Sequence, residues 1–561
     1  MSNDVPLPAT EMPRSGNTVL RVVGGLVLLL PAVLAGLGGL LWPSTATIIT
    51  SLQRSDLVHV AQFIGLENYS QMLQDRLFGQ ALSYTFSLVL TRMFVVAIVP
   101  LLLAIVVAQF GRGVRLAVRL LFTLPLAMLA PAAVAVIWSM VFRSVVGLPF
   151  SRLLGSADGA RQTLLLLDGL YTFGMGCGVG LIVLLPALRR KPDQSALPRG
   201  PLVISWILGL LATAALSLQS FTFSFVLTGG GPAGATASLS VYQYQLAFEF
   251  IRFGTGAAAA ALTLLALGVV GVVAGLVIVL SGLQLEMAPR VPSTSAAPRS
   301  KLAVPALIVL LLLSLVLGAA VALPLLWNLF NSLTTPAAYT DFLGKFQVGQ
   351  VLANTVLPPS LAGLWQVVIA YLAALGIGAV RPFGRWSELL LLPVSPWLFV
   401  TVGPLSLAAI QNLRSFGLLG TMLGLIPPLP LSVPMVFVLT LFFKGQASAR
   451  RAAQAGGKPG SGSFLAQMVL PSLPLAVLLY VVAVLVGFQD LLWPAVAGTS
   501  AATRTMVTTF LLLHAGGGIS GQPMLSGAIT LFELPLGILS FLVLGIFQIL
   551  YLDRLALTTS R

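Results

Sequence analysis

Lys444 to Pro471 reads KGQASARRAAQAGGKPGSGSFLAQMVLP. The stretch separates two long apolar runs, carries Lys444, Arg450, Arg451 and Lys458, and holds no acidic residue. Lys and Arg collect on the cytoplasmic loops of membrane proteins, so this segment is expected to face the cytoplasm. Ser448 to Ala455 is rich in helix formers, and Gly456, Gly457 and Pro459 stop a helix. Eight residues make about 12 Å of helix, expected outside the bilayer and open to a docking partner.

Composition places the rest of the chain in the same setting. Of 561 residues, 57% are hydrophobic and 8% charged, against about 25% charged in a soluble domain. With a mean hydropathy of +1.00, the chain reads as an all-α polytopic membrane protein. The net charge of +15 does not point to nucleic acid, because the basic residues sit in short loops between apolar runs rather than in one patch. The lone Cys177 excludes an internal disulfide, and two distant His residues argue against a His-built metal site. The first apolar run is too long for the core of a signal peptide, so it is expected to be retained.

About 20 apolar residues span a bilayer. Twelve runs qualify: Val19–Trp42, Leu82–Phe110, Val114–Phe142, Thr163–Leu188, Leu202–Leu227, Ala257–Leu283, Ala303–Phe330, Val356–Val380, Ser387–Leu413, Leu418–Phe443, Met468–Leu492 and Gly527–Tyr551. With the N-terminus inside, most of the 30 Lys and Arg residues fall on the cytoplasmic side, and both termini are expected there. Residues 284–302 are rich in Pro, Ser and Ala and read as a flexible cytoplasmic linker. The organisation predicted is a tail over 1–18, a first half over 19–283, the linker, and a second half over 303–561. Six spans is an even number, so the two six-helix halves are parallel rather than inverted.

Arg451-Ala452-Ala453, Gly457 and Leu470-Pro471 resemble the Glu-Ala-Ala loop of ABC importer permeases, whose short helix seats in a groove of the cytoplasmic ATPase. Arg451 stands where that family has Glu, Gly456 where it has Asp, and the Gly-to-Pro spacing is one residue longer. In the first half, Phe63-Ile64-Gly65-Leu66-Glu67-Asn68-Tyr69, Gly111-Arg112-Gly113 with Leu124-Pro125 and Ile137-Trp138, and Phe225-Val226-Leu227-Thr228-Gly229-Gly230-Gly231-Pro232 are similar to the larger permease of carbohydrate-uptake, maltose-type importers. The last block is the most specific. In the second half, Phe416 to Leu425 and Gly487-Phe488-Gln489-Asp490-Leu491-Leu492-Trp493-Pro494 resemble the smaller partner permease, with Arg504-Thr505 following.

This resemblance implies a type I ABC importer permease in a plasma or inner membrane, fed by an external solute-binding protein and driven by a dimer of separate ATPase subunits. Arg450, Arg451, Ala452, Ala453 and Gly457 are then the expected ATPase contacts. Gly229, Gly230, Gly231 and Pro232 are the expected binding-protein contact. A sugar crossing between the halves needs polar groups and aromatic faces on an apolar wall. Gln219, Ser220, Thr222 and Phe223 offer these in the first half, and Gln489, Asp490 and Trp493 in the second. Arg189 to Pro201 departs from the family: thirteen residues with Pro192, Pro198 and Pro201 do not hold a coupling helix. Engagement of the ATPase is therefore expected to be asymmetric or weakened.

Ionisable residues inside spans are costly and functional by default. Arg92, Asp168 and Glu533 are the three, with Arg92 and Asp168 expected near span ends and Glu533 expected to pair with an arginine. No phosphate-binding Gly-x-x-x-x-Gly-Lys-Ser/Thr, zinc, nucleophile or dinucleotide signature is present, so no catalysis, cofactor or metal is expected in this chain. Three other readings stay open: a twelve-span secondary transporter driven by an ion gradient, a fused permease of the ferric-iron class, and a transport-derived scaffold that has lost coupling.

Overall fold

The computed structural model describes residues 15–55, 61–128, 130–144, 154–189, 199–287, 300–455, 463–516 and 522–559. Among these, nine helices are long and apolar enough to cross a membrane: Val19–Ser51, Arg76–Val107, Ala157–Ala187, Arg199–Thr228, Phe253–Ser281, Ala303–Thr334, Val348–Val380, Leu465–Phe488 and Gln522–Arg554. Two bent pairs raise the number to eleven if each is one crossing. The chain is thus an all-α polytopic membrane protein with two small strand pairs. Apolar runs of this length take the helical form because backbone polar groups in hydrocarbon must be satisfied within the segment. Many of their side chains face outward: only 11% of the most apolar part of Ala303–Thr334 is buried, and Leu312, Leu315, Val316 and Leu323 are exposed for lipid.

Several expected spans are rebuilt. Val114–Phe142 becomes Arg112–Met128 and Pro131–Ser144, set at 77°; Ser387–Leu413 becomes Gly384–Trp397 and Val402–Ser415, set at 78°. The first limb of the second pair is a 3-10 helix containing Pro393 and Pro396, which withhold the amide hydrogens that an α-helix needs. The expected Leu418–Phe443 span is displaced. Gly417 and Gly420 take positive φ, and Pro427, Pro428 and Pro430 follow, so the helix starts only at Val433 and runs to Ala455. Ser448–Ala455 is therefore the last two turns of a 23-residue helix rather than a separate surface helix. Gln284 to Met287, assigned to the flexible linker, instead belongs to the strand Leu283–Met287; residues 288–299 lie outside the described set.

The packing is exchanged between early and late parts of the chain. Phe253–Ser281 lies on the 3-10 limb Gly384–Trp397, and Gln522–Leu550 lies on Arg112–Met128. Small residues let these helices approach: a Cβ on Gly271 would stand 2.2 Å from the Ser395 carbonyl oxygen, while Gly537 and Gly545 face Met128 and Leu120. The strand after the first of these helices pairs antiparallel with Leu555–Thr559 after the second, with Leu283 opposite Thr559 and Met287 opposite Leu555. Two threonines play the same part. Thr85 Oγ1 accepts from the Leu239 amide at 2.9 Å, and Thr355 Oγ1 accepts from the Met506 amide at 2.8 Å; each amide opens a short helix, Leu239–Tyr244 or Met506–Gly516.

Gly271→Leu is expected to destabilise the detergent-purified protein by about 1–3 kcal/mol through overpacking, read as a lowered thermal midpoint. Gly318→Ala, whose new Cβ meets nothing within 4 Å, is expected to leave the midpoint in place.

Candidate functional site

The fifth long helix is interrupted. Arg199–Leu218 ends, Gln219 to Phe221 leave helical geometry, and Thr222–Thr228 resumes. Gln219 reaches from this interruption to the one in the second bent pair: its Nε2 donates to the Phe399 carbonyl at 2.8 Å, and its Oε1 accepts from the Thr401 amide at 2.8 Å and hydroxyl at 2.7 Å. One primary amide thus supplies both missing kinds of backbone partner. Ser220 is buried, and its hydroxyl accepts from Arg92 Nη2 at 2.9 Å. Its carbonyl accepts from the Ser238 hydroxyl, which also caps Leu239–Tyr244.

Arg92 and Asp168 form a two-pronged pair, Nε to Oδ2 at 2.7 Å and Nη2 to Oδ1 at 2.5 Å. Both lie well inside their helices, Arg76–Val107 and Ala157–Ala187, rather than near span ends, so their charges are met by each other and not by the interface. This corrects the expected partner of Glu533 as well: Arg92 is committed to Asp168, and Glu533 Oε1 is buried with no hydrogen-bond partner among the described residues. Tyr171 lies within electrostatic reach of Arg92, Asp168 and Glu533. Phe223 packs on Tyr171 at 5.0 Å and Trp138 at 5.7 Å between ring centres. It is a core residue here. Thr222 is half-buried and makes no side-chain hydrogen bond among the described residues.

The second-half group has the same local form. Leu470–Phe488 ends, and Leu492–Ala497 resumes after Gln489, Asp490 and Leu491. Asp490 Oδ1 accepts from the Leu492 amide at 3.1 Å. Asp490, Trp493, Asn354, Thr355 and Thr505 line a cavity of about 10 Å³, room for roughly one water. Trp493 is fully buried, and its Nε1 finds no acceptor among the described residues, a donor that a water in this cavity could satisfy. The two groups do not share that cavity. They meet through Leu491, which lies in the same apolar core as Phe221 and Phe223.

The glycine block closes on itself. Gly229, at φ 59°, ends Thr222–Thr228, its amide donating to the Phe225 carbonyl and that of Gly230 to Ser224. Gly229 is exposed, Gly231 and Pro232 are half-exposed, and Gly230 is buried against Ala237 and Val241. Nearby, Gln71, Gln74, Asp75, Tyr242, Arg252 and Thr255 line an open cleft of about 380 Å³, in which the Tyr242 hydroxyl donates to Asp75 Oδ2 at 2.8 Å. Burial and that bond hold the Tyr242 phenol above its ordinary range. Nothing in the sequence spacing pointed to this cleft, whose members come from separate segments.

At the end of the helices that carries the Leu283–Met287 strand, the Val433–Ala455 helix is firmly seated. Lys444 Nζ donates to Glu388 Oε2 at 2.6 Å, and Arg381 Nη2 to Glu388 Oε1 at 3.2 Å. Gly445 lies against the Leu285 carbonyl, which a Cβ would meet at 2.1 Å. Beyond this seat Arg450 is half-buried, while Arg451 and Ala452 are exposed. Ala453 continues the helix, and Gly457 lies outside the described residues.

No protein-family model matches this chain, and no curated protein matches it. Function therefore rests on the geometry and on the motifs. Among the described residues no group of His, Cys, Asp or Glu is arranged to hold a metal ion.

Asp168→Asn, which leaves Arg92 buried without a counter-charge, is expected to lower stability by about 3–5 kcal/mol. Combining it with Arg92→Met is expected to recover most of that loss. Thermal unfolding of both variants in detergent decides the matter; equal losses in the single and double variants would contradict it.

Proposed function

We propose that the chain is the membrane-spanning permease of an ATP-driven importer, carrying a sugar or similar polar solute between two parallel six-helix halves. The observation that carries this reading is the seated helix Val433–Ala455. It is locked to the membrane core through Lys444, Glu388 and Gly445, yet presents Arg451 and Ala452 to solvent, in the segment whose sequence resembles the ATPase-docking loop of importer permeases. A rigid helix with an exposed end transmits force, whereas a flexible loop does not.

The two-half organisation is supported by order. Counting each bent pair as one crossing gives eleven, and Val433–Ala455 makes a twelfth. Each half then holds a bent pair, a helix interrupted at Gln219 or Gln489, a short helix opened on a threonine, and a last helix leading into one strand of the ladder. Solute would pass beside the two interruptions, where Gln219 closes the path by bridging to Phe399 and Thr401. An external solute-binding protein would rest on the exposed part of the turn Gly229–Pro232. With Lys- and Arg-rich loops inside, both termini are cytoplasmic and the membrane is the plasma or inner membrane.

A second reading, transport driven by an ion gradient, is favoured by one observation: Glu533 is an intramembrane carboxylate with an unpartnered oxygen among the described residues. Uptake that survives ATP depletion but collapses with an ionophore, and that is lost in Glu533→Gln, would establish it instead.

For the first reading, an ABC ATPase is expected to co-purify with the chain. Arg451→Ala with Ala452→Asp is expected to reduce that recovery and the rate of ATP-dependent uptake at least about tenfold, an effect of roughly 1.4 kcal/mol, while leaving the thermal midpoint unchanged. Uptake unaffected by the double substitution would rule out this docking site. Gln219→Ala, by loosening the closed path, is expected to raise ATP hydrolysis in the absence of solute, measured on the reconstituted complex.

A further inference from the structure

Three arginines of one helix and a fourth from the end of another gather around Asp553 at the strand-bearing end of the molecule. Arg112, Arg115 and Arg119 fall at i, i+3 and i+7 of the helix Arg112–Met128 and so share a face. Arg189 follows the helix Ala157–Ala187. Asp553 Oδ2 accepts from Arg112 Nε at 2.9 Å, and Oδ1 from Arg119 Nη2 at 2.9 Å. Arg189 donates to the carbonyls of Asp553 and Leu555. Asp553 is the one acidic group whose charge bears on Arg119 and Arg189, and both feel the opposing charges of Arg112 and Arg115. Among the described residues, four positive charges thus surround one negative.

The donors are also in excess. Arg119 is 5% exposed, and its Nε has no acceptor among the described residues. Arg554, next to Asp553, has a buried Nε in the same condition. Arg115 is half-buried, and its side chain makes neither a hydrogen bond nor an ion pair among the described residues. Buried N–H groups in folded proteins find acceptors, and clustered guanidinium groups bond most strongly to anionic ones. Arg112, half-exposed at the start of its helix, leaves the cluster open to one side.

We propose that Arg112, Arg115, Arg119 and Arg189 form a binding site for a phosphate group, either of an anionic lipid headgroup or of a soluble anion. A phosphate offers several strong acceptor oxygens on one charged centre and suits the planar guanidinium fork. Basic pockets between membrane helices at the water boundary take lipid headgroups by the same chemistry. The site is independent of the transport reading, since none of its residues belongs to the solute path or to the exposed end of Val433–Ala455.

The test uses the purified full-length chain with two probes: inorganic phosphate in detergent, and phosphatidylcholine nanodiscs with or without phosphatidylglycerol, read by thermal shift and by retained lipid in native mass spectrometry. Saturable stabilisation is expected, with affinity reduced at least about tenfold in Arg115→Gln and by less in Arg115→Lys, which keeps the charge but not the fork. Because the Arg115 side chain makes no hydrogen bond or ion pair among the described residues, the unliganded midpoint of Arg115→Gln is expected to match the parent; should that variant fail to fold, Arg112→Gln repeats the comparison. A response to phosphatidylglycerol alone assigns the site to lipid, and a response to phosphate in detergent assigns it to a soluble anion. No saturable response to either probe, or an undiminished one in both glutamine variants, overturns the proposal.

Discussion

A backbone interrupted among apolar helices leaves amide and carbonyl groups without their helical partners, and this constraint governs the three breaks in the long helices. Helical bonding fails at Gln219 to Phe221, at Leu398 to Thr401, and at Gln489 to Leu491. The first two failures repair each other through the Gln219 side chain, which offers a donor to one carbonyl and an acceptor to one amide. The third is met locally by Asp490. Side chains that sequence alone suggests as solute contacts therefore have a prior duty. On the proposed transport reading, a solute that uses Gln219 must replace the partners it now holds, which would make binding and opening one event.

The apolar runs were legible because composition and length suffice for them. The interruptions were not, since residues such as Leu216 or Phe221 look the same on either side of a break. Leu418–Ser432 shows how hydropathy misleads: it is apolar enough for a span, but two glycines at positive φ and three prolines bar the helix. That signal was present in the residues and was outweighed by hydrophobicity. The ion pairs were hidden for another reason. Arg92 and Asp168 lie 76 residues apart, and Arg119 and Asp553 lie 434 apart; no periodicity connects positions so separated. Of the expected pathway residues, Gln219 and Ser220 proved to be engaged in polar ties, whereas Phe223 and Trp493 proved to be core.

The recurrent frame is fitted with different polar groups in its two occurrences. Thr85 and Thr355 do the same work, but Ser220 and Asp490 do not. Ser220 receives a charge-assisted bond from Arg92, whereas Asp490 carries its own charge beside a water-sized cavity. A half-buried carboxyl group is a costlier occupant than a serine if packing is its only purpose. The unequal fitting places the polar burden of the first occurrence on a closed ion pair and that of the second on a group still able to accept bonds.

The strand ladder gives this asymmetry a mechanical side. Leu283–Met287 runs beside Gly445 at the seat of the Val433–Ala455 helix, and its partner Leu555–Thr559 is held by Arg189 at the end of Ala157–Ala187. A hydrogen-bonded ladder therefore bridges the two places from which cytoplasmic loops depart on the proposed orientation. Residues 190–198 of the first of those loops lie outside the described set, and the other loop follows a helix with an exposed end. On the proposed reading, a push received at Arg451 and Ala452 would need no second push at Arg189, because the ladder would carry displacement across. A single docking point can then move both sides, provided that the pairing from Leu283 to Met287 stays intact.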